Sequence, residues 1–125
     1  QRLIRQICGG CKTSQETDAE ELSKSILKET INQYLGTGAK VTTYFGRGCK
    51  LCRNTGYQGR IGIFEVLEVT KEIRKLIVGK SDADLIEQEA VKEGMKVMLE
   101  DGLEKVAKGL TTVEEVVRAT KVEST

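Results

Sequence analysis

Four cysteines carry the chemistry available to this sequence. They fall in two pairs, CGGC at 8–11 and CKLC at 49–52. Each pair separates its thiols by two residues, a gap that lets both sulfurs point to one side of a tight turn. Backbone N–H groups in such a turn can donate to the sulfurs. Gly9, Gly10, Gly48 and Gly56 border the pairs and suit turns that need positive φ. Two turns of this kind supply four soft ligands for one tetrahedral metal ion, so Cys8, Cys11, Cys49 and Cys52 are the candidate metal ligands.

Zinc is the ion that suits them. A site made of four cysteines leaves no open coordination position, and closed sites of this kind are structural. Four thiolates leave the centre negatively charged, and Lys12, Arg47, Lys50 and Arg53 stand beside the ligands to offset it. Three other readings use the same residues. Iron can take the same four sulfurs, as in rubredoxin-like centres, although this chain is poor in aromatic residues at 4%. The thiols could pair as disulfides, against which stands the missing signal-peptide pattern. A thioredoxin-like redox centre needs one CxxC and leaves the second unexplained.

These ligands must be brought together across the 37 residues between Cys11 and Cys49, more than the roughly 15–20 of a usual zinc ribbon. A helical excursion accounts for the excess. Residues 2–7 read as a strand leading into the first pair, and TSQETD at 13–18 as a polar connector. Asp18 with Glu21 resembles a capping box, opening a helix whose stripe is Leu22, Ile26, Leu27, Ile31, Tyr34 and Leu35. VTTYFG at 41–46 reads as a strand into the second pair. RIGIFEVLEV at 60–69 reads as a strand out of it. Helices follow. Thr70 caps one through about Val78, and Ser81 or Asp82 caps another. Met98, Leu99, Leu103, Val106, Ala107 and Leu110 form a third stripe. Thr111 with Glu114 matches a capping box for a last helix with Val113, Val116 and Val117. Glycine-punctuated strands give way to charged amphipathic helices near residue 69. The expected fold is therefore α+β: short strands around a two-knuckle tetracysteine zinc subdomain with an inserted helix over 1–69, then a helical bundle over 70–125.

The 125 residues can bury roughly two-thirds of their unfolded surface, enough for a modest core. Twenty basic and nineteen acidic residues nearly cancel, so no overall basic field draws in polyanions. There is no histidine, which removes imidazole as base or ligand. No apolar run approaches the ~20 residues of a membrane-spanning helix. GTGAK at 36–40 and VGKS at 78–81 hint at a phosphate loop, but neither fits GxxxxGK[ST]; for Lys80 and Ser81 the first glycine would fall at Arg74. Glu65 and Glu68 read as solvated carboxylates, and no catalytic constellation emerges. The opening QRLIRQIC lacks Met and already alternates apolar residues, which leads us to expect a piece of a longer protein.

GC-x-x-C-x-x-TGY-x-GR at 48–60, followed by DGL-x-KV-x-x-G-x-TT-x-EEV at 101–116, resembles the secretion ATPases of type IV pilus assembly and type II secretion (PilB and GspE types). QRLIRQIC resembles the segment just after their nucleotide-binding core, and the downstream helices lean to the pilus branch. The resemblance implies a cytoplasmic, homo-hexameric ATPase, peripheral to the inner membrane and docked there on a platform protein, without direct membrane insertion. ATP turnover in its RecA-like core would feed pilin subunits into a fibre. This chain would be its C-terminal part, with the family's metal ligands at Cys8, Cys11, Cys49 and Cys52. ATP and Mg2+ would bind only the parent protein, before Gln1, leaving this chain without ATPase activity of its own. No nucleic-acid partner is expected. Arg60 is a candidate interface residue, with a plain surface charge as the alternative. The rival function is a stand-alone zinc-ribbon module binding nucleic acid through Lys12, Lys40, Arg47, Lys50, Arg53 and Arg60, with Tyr44, Phe45 and Tyr57 for stacking.

Overall fold

The computed structural model describes residues 1–120; the last five residues of the expected helical segment lie outside them. Strand β1 (Arg2–Ile7) runs into the first cysteine pair, and β2 (Lys12–Asp18) leaves it. Two short helices, α1 (Ala19–Leu22) and α2 (Lys28–Tyr34), make the excursion. Strand β3 (Lys40–Gly46) returns to the second pair and β4 (Tyr57–Ile63) leaves it. Helices α3 (Lys71–Val78), α4 (Ala83–Lys92), α5 (Met98–Ala107) and α6 (Val113–Thr120) complete the described residues. Among these residues no helix is long and apolar enough to cross a membrane.

The strands form two antiparallel ladders. β1 pairs with β4, from Arg2 opposite Ile63 to Ile7 opposite Tyr57. β2 pairs with β3, from Lys12 opposite Gly46 to Asp18 opposite Lys40. Each CxxC therefore joins a strand of one ladder to a strand of the other. Once both ladders zip, the two turns must meet where the ladders adjoin.

The architecture is the mixed helix-and-strand fold expected, with local corrections. Residues 13–18 are not a connector but most of β2. Their polarity misleads because the strand is held by its partner: Thr17 and Thr43 share a hydroxyl bond at 2.7 Å, and Thr42 Oγ1 donates to Glu16. The single helix expected over 18–35 is broken at 23–27. Ser23 Oγ donates to the Glu20 carbonyl at 2.6 Å, Ile26 turns into the core, and Leu27 stays exposed. Asp18 makes no capping bond, and Glu21 pairs with Lys24 instead.

The strand expected over 60–69 ends at Ile63, where β1 runs out of partners. Beyond it the Phe64 N–H donates to Asp101 Oδ2 at 2.8 Å, and Phe64 folds back over Gly62. Glu65 is no idle carboxylate; it accepts the Met98 N–H at 3.0 Å and so caps α5 from a distance. The last cap sits one residue later than expected. Thr112 Oγ1, not Thr111, accepts the Glu115 N–H at 3.2 Å.

The cap read at Ser81 or Asp82 is not made, since Asp82 precedes α4 without a side-chain capping bond. Two other readings hold. Thr70 caps α3 by accepting the Ile73 N–H. VGKS is the end of that helix: Lys80, at φ 56°, donates its N–H to Ile77 O, and Ser81 donates to Leu76 O, each at 3.0 Å. That is a Schellman closure, not a phosphate loop.

The core packs Ile4, Ile26, Ile31, Val41 and Ile63 against Leu103, Val106, Val113 and Val116. It draws on both sides of residue 69. Gly102 lies inside α5, where glycine costs about 1 kcal/mol relative to alanine. A Cβ there would stand 2.4 Å from Val116 Cγ1, so the glycine is what lets α5 and α6 approach.

Candidate metal centre

The two turns bring all four cysteines together. Their sulfurs lie within 4.8 Å of one another. Cys8–Cys49, Cys11–Cys52 and Cys49–Cys52 are each 3.8 Å apart. All four thiols are free, and a disulfide would need about 2.05 Å. A tetrahedral thiolate centre with metal–sulfur bonds of about 2.3 Å needs sulfurs about 3.8 Å apart. The donor set and its spacing therefore suit a tetrahedral metal ion.

Local backbone geometry supports this cage. The Gly48 N–H donates to Cys11 Sγ, and the N–H groups of Cys49 and Gly56 donate to Cys52 Sγ, all at 3.3 Å. Gly48 and Gly56 take φ values of 100° and 83°, which side chains resist. A Cβ on Gly56 would also stand 2.5 Å from the Gly46 carbonyl oxygen, where β3 crosses the exit of the second turn. The first turn needs no such freedom: among the described residues the positive-φ glycines do not include Gly9 or Gly10. A Cβ on Gly10 would meet the sulfurs of Cys8 and Cys49 only at ordinary contact distance, 3.7 and 3.6 Å, and would press on Leu51 Cδ2 at 3.3 Å. Arg53 and Asn54 take left-handed φ in the second turn, a feature glycine spacing could not reveal.

The sulfurs differ in acidity. Burial opposes ionisation of Cys52, but its two backbone donors and the neighbouring thiols outweigh that and lower it to about 6. Cys11, pushed up by burial against a single backbone donor and surrounded by the other thiols, rises to about 11. Close thiols cannot all ionise unaided, and a cation among them removes that repulsion. Lys12, Arg47, Lys50 and Arg53 are all exposed around the cage.

A second set of polar residues adjoins the cage. β4 carries one extra residue between the pairs Arg5–Arg60 and Ile7–Tyr57, with Gly59 at φ 79°. This bulge turns Tyr57 onto the face of Arg5. The Arg5 guanidinium stacks 4.1 Å above the Tyr57 ring and donates to Glu115 Oε1 at 2.6 and 2.8 Å. Tyr57 Oη shares a hydrogen bond with Thr112 Oγ1 at 2.9 Å. The reading of Tyr57 as a free stacking residue missed both commitments. The signal was present but ambiguous: TTVEE holds two overlapping T-x-x-E pairs, and only packing chooses between them. Of the other aromatics weighed for stacking, Tyr44 is half-buried against Gly109 and Phe45 is half-buried; Arg60 is exposed opposite Arg5.

Comparison with known proteins gives the wider context. A family model described as "Type II/IV secretion system protein" matches residues 1–118. The chain is 43% identical over 120 residues to the type IV pilus assembly ATPase PilB of Thermus thermophilus, covering 96% of this chain and 13% of that protein. It is 36% identical over 121 residues to PilB of Pseudomonas aeruginosa, covering 97% and 20%. It is also 36% identical over 123 residues to the type II secretion system ATPase E of Vibrio cholerae, covering 97% and 22%. The chain thus spans about a fifth or less of the length of these relatives.

Proposed function

This chain belongs to the type II/IV secretion system protein family, and from that premise we propose that it is the zinc-binding part of an ATPase that powers pilus assembly or secretion. The observation that carries the zinc reading is the set of 3.8 Å sulfur spacings at the junction of two ladders. Cys8, Cys11, Cys49 and Cys52 would hold the ion. Bound there, zinc would supply a closed four-thiolate cross-link, with no open position for water or substrate.

The role that follows is mechanical. Each ladder is only two-stranded, and such pairs are marginal alone. A cross-link at their junction braces both, and β4 leaves it directly. The exposed surface of β4, Arg60 included, would then hold a defined position against a neighbouring subunit of a hexamer or against an inner-membrane platform protein. ATP and Mg2+ would be handled by parts of the protein beyond this chain, since its relatives are named ATPases and this chain lacks GxxxxGK[ST]. The assembly would work on the cytoplasmic face of the inner membrane through these partners.

The test is metal analysis followed by substitution. One zinc per chain is expected, and a red protein carrying iron instead would overturn the choice of ion. In the full-length protein, Cys49→Ser with Cys52→Ser should abolish fibre assembly while sparing much of the basal ATP hydrolysis. Equal loss of both would leave a plain folding role.

A further inference from the structure

The metal cage and the C-terminal helix share one residue pair. Gly56 is held by both turns: its N–H donates to Cys52 Sγ at 3.3 Å, and its carbonyl accepts the Cys8 N–H at 3.0 Å. Gly46 packs against it so closely that a Cβ on either glycine would collide with the other's backbone. The next residue is Tyr57, whose hydroxyl meets Thr112 Oγ1, the group that caps α6. On the other side of the cage, Ile7 precedes Cys8 and donates its N–H to Leu110 O at 2.9 Å. The Arg5 N–H donates to Glu115 Oε2 at 2.9 Å, and the Thr111 hydroxyl donates to Arg5 O at 2.8 Å. The residues that dock the start of α6 are therefore immediate neighbours of those that seat the sulfurs.

Resting on the metal reading above, we infer that Tyr57 is a positioning residue that couples metal loading to the docking of α6. Loading fixes Gly56, Gly56 sets the height of Tyr57, and Tyr57 places the Thr112 cap and the Arg5 guanidinium that holds Glu115. Coupling of this kind is reciprocal. The factor by which loading favours the docked α6 is the factor by which docking strengthens the metal site. Glu115 belongs to this route although it touches no cysteine and belongs to neither turn.

The experiment measures Zn2+ affinity of the full chain by competition with a chromophoric chelator, and amide hydrogen exchange with zinc loaded or stripped. In the wild type, stripping should speed exchange across 113–120 while the α3 amides keep their protection. Tyr57→Phe keeps the ring over Arg5 but loses the hydroxyl. It should weaken zinc binding about 2- to 10-fold, the range of one net hydrogen bond. Glu115→Gln should weaken it comparably. Ile73→Val trims a buried side chain of α3, outside the core that α6 joins, and should leave zinc affinity unchanged. Equal α6 exchange in loaded and stripped protein would overturn the coupling. So would wild-type zinc affinity in both route variants, or an equal loss in Ile73→Val. A wild-type chain that takes up no zinc would instead fail the metal reading itself, and the coupling with it.

Discussion

Glu115, on the last described helix, closes the open edge of the first strand through Arg5. Its carboxylate is 2% exposed, accepts the Arg5 backbone N–H at 2.9 Å and receives the Arg5 guanidinium at 2.6 Å. Arg118 adds a third donor group, at 2.5 Å. β1 has β4 on one side only, and on its other side the outward polar groups of Arg5 and Ile7 find partners in the segment from Leu110 to Glu115. A strand edge that would otherwise invite foreign pairing is thus covered within the chain.

Replacing Glu115 by Gln should lower stability at neutral pH by about 2 kcal/mol, the scale of hydrogen bonds to a charged group. The pH dependence has a definite sign. Burial would raise the Glu115 carboxyl, but Arg5 and Arg118 outweigh burial and lower it below the ordinary range. The folded chain therefore binds this proton more weakly than the unfolded chain. Its stabilisation is complete above the unfolded value of about 4.3 and is lost as pH falls through the lower folded value. Melting temperatures measured across that range should fall less steeply for Glu115→Gln than for the wild type.

Gly56→Ala should damage the metal site without touching a ligand. Its φ of 83° and the Gly46 carbonyl oxygen 2.5 Å from the new Cβ both oppose the side chain. Moving Gly56 also removes an N–H from Cys52 Sγ. Chelator competition should register weaker zinc retention. Gly9→Ala meets nothing within 4 Å and should retain zinc as the wild type does.

Gly102→Ala separates helix propensity from packing. Alanine should gain about 1 kcal/mol inside a helix, but the 2.4 Å approach to Val116 Cγ1 forces α5 and α6 apart. Overpacking of this kind costs about 1–3 kcal/mol, so the expected net change in urea unfolding is destabilising. Adding Val116→Ala should relieve the clash, and the second change should then cost less in Gly102→Ala than it does alone.

Thr70→Ala is expected to act locally. It removes the acceptor for the Ile73 N–H and the hydroxyl bond to Glu93 at 2.9 Å. Loss of such a cap costs about 1 kcal/mol. Amide exchange should quicken in α3, and zinc affinity should stay at the wild-type value.

Much was legible without coordinates because it depends on neighbours in sequence. Two identical CxxC spacings bring each pair of thiols to one side of a turn, whatever lies between them. The Thr70 cap, the apolar stripe of α5 and the failure of VGKS as a phosphate loop are likewise properties of a few consecutive residues. Tertiary structure decided what needs a partner from elsewhere in the chain. The polar stretch 12–18 is a strand only because β3 lies beside it, and β4 stops at Ile63 only because β1 stops opposite. Glu65 caps a helix that begins 33 residues later. The choice of Thr112 over Thr111, and the engagement of Tyr57 and Glu115 with Arg5, arise where β1, β4 and α6 converge. Local periodicity reports which residues share a face of one element; which element then covers that face is settled by packing among residues far apart in sequence.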